Sequence, residues 1–182
     1  MFVIQQKSNK PIKLWFQDES RFGTRTISRR KITLKGLKPV GIKQDGYKNF
    51  YIYGAVSPKT GENFFIEFST VDGVCFQSFL NSFSKKYTET TNVIILDNAS
   101  FHKSKKIKIP NNIVLFFQPP YSPELNPTER VWLHLKNQMA WKTFKSLLSV
   151  KRLVYKLIRN IDNSKISSLT SYDYISNSFN QV

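Results

Sequence analysis

Asn92-Val93-Ile94-Ile95-Leu96 is apolar throughout after its first residue, and it stops at an acid, Asp97. A strand that reads as a continuous apolar run, without alternation, is one covered on both faces, as in the middle of an α/β sheet. Ile113-Val114-Leu115-Phe116-Phe117 repeats the pattern after a basic stretch, His102 to Lys108. Upstream, Lys13 to Gln17 predicts a short strand around Leu14-Trp15-Phe16, ending at Asp18-Glu19. Thr24 to Tyr47 is rich in Lys, Arg and Gly and has little periodicity, which suits an exposed loop or ragged hairpin. Phe50 to Val56 and Asn63 to Phe68, joined by Ser57-Pro58-Lys59-Thr60-Gly61, predict a hairpin with a longer loop. Val74 to Tyr87 sets Phe76, Phe79, Leu80 and Phe83 at helical spacing.

Downstream, Pro119, Pro120, Pro123 and Pro127 exclude a regular element over Pro119 to Pro127. From Glu129 onward, Val131, Trp132, Leu135 and Met139 share one helical face. A second amphipathic helix, Ser146 to Ile161, turns Leu147, Val150, Val154, Leu157 and Ile161 inward. The order of elements predicts one α/β domain over residues 1–182, a mixed β-sheet flanked by α-helices.

Composition narrows the chemistry. The chain has 182 residues, with 28 Lys plus Arg against 12 Asp plus Glu, a formal net charge of +16. So basic a surface favours a polyanionic partner, of which nucleic acid is the commonest. Apolar runs are far too short to span a bilayer. Cys75 is the only cysteine, and His102 and His134 are the only histidines, so a Cys/His zinc site lacks ligands. A metal here has to be held by oxygen, which points to Mg²⁺, Mn²⁺ or Ca²⁺.

Asp18 and Asp97 each follow an apolar strand, the place where open α/β sheets bind their ligands. If the strands are neighbours, the two carboxylates reach one point and repel unless a cation lies between them. Each Asp is also readable as the start of a polar turn. Glu129 has two readings as well: a third ligand, or the back-bonding member of a capping box in Asn126-Pro127-Thr128-Glu129. Glu124 and then Glu19 are the rival third ligands; Glu19 is weakened because adjacent strand residues face opposite sides. Three carboxylates suffice for in-line displacement at a phosphodiester by two Mg²⁺ ions roughly 3.5–4 Å apart, if one carboxylate bridges them.

Three motifs then coincide: Phe16-Gln17-Asp18-Glu19-Ser20-Arg21-Phe22-Gly23, Leu96-Asp97-Asn98-Ala99-Ser100-Phe101-His102, and Pro119-Pro120-Tyr121-Ser122-Pro123-Glu124-Leu125-Asn126-Pro127-Thr128-Glu129 with Trp132 following. Together they resemble the DDE transposases, specifically the bacterial insertion-sequence branch of the mariner superfamily. The resemblance spans about Ile12 to Ile161. It implies a ribonuclease H-like catalytic domain with Asp18, Asp97 and Glu129 as catalytic, metal-binding triad and two Mg²⁺ ions, Mn²⁺ substituting, as cofactor. It also implies cleavage at transposon ends and strand transfer into a TA target, with double-stranded DNA and a homodimer as partners, in the bacterial cytoplasm and near the nucleoid.

By motif position, Asn98 and His102 are expected near the scissile phosphate or supporting the second acid. Arg21, Tyr121 and Asn126 are candidate DNA contacts, and Arg25, Arg29, Arg30 and Lys31 candidate phosphate contacts. Trp132 is expected to pack the helix on the sheet.

Two departures from the family stand out. The interval from Asn98 to Thr128 is somewhat short, which predicts a trimmed loop at Lys103 to Pro110. The helix-turn-helix region usual upstream of the first Asp is absent, so end recognition is expected from another polypeptide or a frameshift fusion. The competing expectations are a truncated, catalytically inactive DNA-binding or regulatory chain, and a ribonuclease H-like nuclease acting on RNA hybrids.

Overall fold

The computed structural model describes residues 10–30, 32–38, 40–120, 122–172 and 175. Its centre is β1 (Ile12–Gly23), the middle strand of a five-stranded sheet ordered β3-β2-β1-β4-β5. β2 (Asn49–Val56) and β3 (Asn63–Phe68) form the expected hairpin and pair antiparallel to β1 and to each other. β4 (Thr91–Leu96) and β5 (Ile113–Phe117) run parallel to β1. The sheet is therefore mixed, and β1 is where its two halves meet.

Alternation along β1 splits the core in two. Trp15 joins Tyr53, Ile94 and Leu96 against Phe76, Phe79, Leu80 and Phe83 of α1 (Gly73–Lys86). Phe16 and Phe22 face the other way, against Val131, Trp132, Leu135 and Met139 of α2 (Thr128–Met139) and Val150 and Val154 of α3 (Leu147–Asn160). Each helix begins on a local signal. Asp72 caps α1 by accepting from the Cys75 N–H, and Ser146 and Ser149 form a reciprocal box at the start of α3. A further helix, α4 (Asn163–Thr170), lies beyond the expected elements; Asp162 caps it and Ile166 is buried. No described helix is long and apolar enough to cross a membrane.

Two expectations are corrected. β1 does not end before Asp18 but continues to Gly23, because its antiparallel register with β2 runs on from Phe16↔Val56 to Gly23↔Asn49. The capping box at α2 is half made: Asn126 Oδ1 accepts from the Thr128 N–H at 3.1 Å, but no Glu129 side-chain bond returns to it. The Glu129 carboxylate is thereby left for other work.

Candidate active site

Asp18 sits where β1 changes partners. Parallel pairing with β4 is last seen at Phe16↔Ile95, whereas pairing with β2 continues through Asp18↔Gly54. Carrying the parallel register two residues further sets Asp18 beside Asp97, the residue at which β4 gives out. Asp18 Oδ2 accepts from the indole N–H of Trp132 at 2.8 Å. Trp132 thus packs on the sheet, as expected, and also holds the first acid. Its ring is seated over Gly54, where a Cβ would come within 2.6 Å of it.

Glu129 is brought to Asp18 by two bonds to consecutive β1 carbonyls. The Asn126 amide donates to Gln17 O at 2.8 Å, and the Thr128 hydroxyl donates to Phe16 O at 2.9 Å. The start of α2 is therefore fastened to the two residues that precede Asp18. Burial, then the nearby charge of Glu129, then that of Glu19, pushes the Asp18 carboxyl well above its ordinary range. Lys136, two helical turns past Glu129, lies close to the same acids: burial lowers its pKa, Glu129 and Asp18 raise it, Arg29 lowers it, and the net is downward.

Asp97 has different surroundings. Its side chain is 57% exposed, and His102, only 1% exposed, lies beside it with Nδ1 2.9 Å from Asp97 Oδ1. The other ring nitrogen, Nε2, is 3.1 Å from Glu19 Oε1, a carboxylate 10% exposed. Burial by itself would push the imidazole down; hydrogen bonds to Asp97 and Glu19 outweigh it and raise the pKa to about 9. At neutral pH both ring nitrogens therefore donate. The bond from His102 in turn holds the Asp97 carboxyl below its ordinary value, against a smaller opposing effect of burial. Ala99 N–H donates to the same Oδ1 at 3.0 Å.

The remaining candidates divide. Asn98 donates its amide to the Gln118 carbonyl and so ties the loop after β4 to the end of β5. A cleft of about 390 Å³ opens there, lined by Asp97, Asn98, Gln118, Pro119 and Ser122 among others. Asn126 and His102 are buried, and their polar atoms are engaged within the chain. Arg21 is exposed on the Glu19 side of β1. Arg25 pairs with Asp45 at 3.7 Å on the surface, and Arg29 and Arg30 are exposed. Tyr121 and Lys31 lie outside the described residues.

The sequence reading passed over Glu19 as partner of His102, Trp132 as donor to Asp18, and Lys136. The one available signal was periodicity, since Lys136 shares a helical face with Glu129.

The donor set suits a hard divalent cation: carboxylates only, with the charge of Glu129 acting on a buried Asp18. Asp18 and Glu129 come together; Asp97 stands at the adjacent strand end with Oδ1 held by His102. Among the described residues no group of three His, Cys, Asp or Glu side chains stands close enough to hold one ion.

Comparison with known proteins bears on the family and the fold. A family model described as DDE superfamily endonuclease matches residues 13–151. An uncharacterized protein of Sinorhizobium fredii, y4pE/y4sA, is 38% identical over 97 residues, covering 52% of this chain and 72% of that protein. Among solved structures, the Mos1 transposase paired-end complex with left transposon end matches with a TM-score of 0.67 at 16% identity, over 93% of this chain and 54% of that one. The Mos1 strand transfer complex matches with a TM-score of 0.68 at 15% identity, over 93% and 53%. The chain thus spans about half the length of these structural relatives, and the likeness at that identity is one of fold, ribonuclease H-like. With the family match spanning all three acids, the chain belongs to the DDE superfamily endonucleases.

Proposed function

We propose that this chain is the DNA-cutting and DNA-joining domain of a transposase, acting on transposon ends and target DNA, with Asp18, Asp97 and Glu129 holding two Mg²⁺ or Mn²⁺ ions. The observation that carries this reading is the pairing of Asp18 with Glu129. On a chain with a net charge of +16, burial and then the charge of Glu129, distant in sequence, oppose the ionisation of Asp18. Such a placement costs stability unless a cation relieves it. Divalent ions bound there supply Lewis acidity and charge neutralisation for in-line displacement at a phosphodiester.

The chain's own residues do the rest. Trp132 orients Asp18, and the bonds from Asn126 and Thr128 to β1 fix the origin of Glu129. Lys136 offers a cation beside the acids for a phosphate oxygen. The cleft beside Asp97 and Gln118 gives a strand of DNA access to them. Two copies of the chain, one per transposon end, make up the working complex in this reading.

The test is cleavage of plasmid DNA carrying the sequences that flank the chain's own gene. Nicking is expected with Mg²⁺ or Mn²⁺ and none with chelator. Asp97→Asn is expected to abolish it at equal or higher DNA affinity; cutting retained by that variant removes Asp97 from the mechanism. A second reading, a chain that occupies DNA without cutting it, is favoured by the hold of His102 on Asp97. DNA binding with no nicking even in Mn²⁺ would select it.

A further inference from the structure

We propose that Glu19 is a positioning residue of the metal site: acting through His102, it fixes the Asp97 carboxylate so that Oδ1 is held by the protein and Oδ2 is presented to a divalent cation. This rests on the reading of Asp97 as a metal ligand and extends it to a residue on the far face of β1. Glu19 follows Asp18 directly, so the two side chains leave the strand on opposite sides. On its side Glu19 accepts from the Gln17 amide at 2.8 Å and from His102 Nε2 at 3.1 Å. The imidazole is wedged between aromatic rings, 4.3 Å from the centroid of Phe76 and 4.1 Å from that of Phe101. It cannot turn without leaving that slot, and Glu19 sets its angle within it.

The far ring nitrogen meets Asp97 Oδ1 at 2.9 Å, and Ala99 N–H takes the same oxygen at 3.0 Å. Oδ2 makes no hydrogen bond among the described residues. An otherwise exposed and freely rotating carboxylate is thus reduced to one free oxygen with one direction. Partners of this kind behind a metal-binding carboxylate or imidazole change metal affinity by about 10–100-fold when removed. A nearly buried Glu bonded to a buried His is a costly way to fill space, since apolar side chains of similar volume are commonly as stable or more so. The same geometry makes Glu19 a support for the site and not its third ligand.

The experiment is Mn²⁺ binding followed by electron paramagnetic resonance, with melting temperature and DNA affinity measured in chelator alongside. Glu19→Met keeps the bulk and loses the hydrogen bond; it is expected to weaken Mn²⁺ by about tenfold. Glu19→Gln can accept from or donate to Nε2, and is expected to stay within a few-fold of the parent. A Gln variant as weak as Met means that Glu19 is itself a ligand, and a Met variant as tight as the parent means that it only fills space; either overturns the inference.

The unaltered chain gives a second readout, because His102 and His134 are its only histidines. Mg²⁺ should shift the His102 ring nitrogens while the bond to Asp97 persists; loss of that bond on adding Mg²⁺ also overturns it. Asp97→Asn separates the two layers of argument. Mn²⁺ binding unchanged by that substitution removes the metal-ligand reading itself, and the role of Glu19 with it.

Discussion

Asp18 carries a charge that its surroundings resist. Its folded pKa lies well above the ordinary 3.8. The folded chain therefore binds the proton more tightly than the unfolded one, and stability falls as pH climbs from the carboxylate range toward the raised value. His102 acts with the same sign: its value is raised to about 9, so its contribution is fully present below its ordinary 6.5 and is lost as pH rises from there through 9. Both groups therefore make the metal-free fold less stable as pH rises, Asp18 from the carboxylate range upward and His102 from 6.5 to about 9. Asp18→Asn keeps an oxygen for the Trp132 N–H and removes the repulsion from Glu129. In chelator at pH 8 it should raise the melting temperature by a few degrees, the usual response to about 1 kcal/mol in a chain of this size. At pH 4 the gain should shrink; an equal gain at both values would show that charge is not the cause. Mg²⁺ should stabilise the parent at pH 8 and not the variant. Asp18, Asp97 and Glu129 could be singled out in sequence because each falls within one of three motifs. His102 was legible too, as a support of the second acid; the role of Glu19 was not, because the Glu19 to His102 contact joins residues 83 positions apart and no local pattern records it.

At the scale of elements, strands β2 to β5 could be read from apolar and aromatic runs and helices α1 to α3 from apolar periodicity, while the length of β1 could not. Past Phe16 its register is dictated by β2 alone, and Asp18-Glu19-Ser20-Arg21 has no apolar signature of its own. Tertiary pairing overrides composition there. The consequence is functional, since an acid in mid-strand is held more firmly than one in a turn. Gly54, across the sheet from Asp18, shows how tightly. A methyl group there would lie 2.6 Å from the Trp132 ring and 2.7 Å from that of Phe65, both packed in the core. Gly54→Ala should cost about 1–3 kcal/mol, the usual price of overpacking. It should also displace the indole that donates to Asp18, so Mn²⁺ affinity should drop together with melting temperature. A variant that loses stability and keeps full metal affinity would separate Trp132 from the site. α4 escaped the sequence reading because it is short, with Ile166 and Leu169 too few to establish a period.

The whole molecule is a basic body around an acidic centre, and the two act oppositely on DNA. Lys and Arg exceed Asp and Glu by 16, and residues 24–48, between β1 and β2, add exposed Arg25, Arg29, Arg30, Lys35 and Lys43 to that excess. Each phosphate neutralised by a Lys or Arg releases counterions, so affinity should fall steeply and linearly on a log–log plot against salt. The residues contribute differently to that slope. Lys136 is partly buried beside Glu129 and Asp18, and its charge is spent on these acids until cations take its place there. In chelator, Lys136→Gln should leave the slope nearly unchanged. With Ca²⁺, which occupies oxygen sites and supports little cutting in the proposed mechanism, the freed ammonium should reach a phosphate, and the same substitution should reduce the slope by about one. Fluorescence anisotropy on a short duplex from 50 to 300 mM KCl, with and without Ca²⁺, reads both. A slope change of equal size in the two conditions would make Lys136 an ordinary surface cation with no role beside the acids.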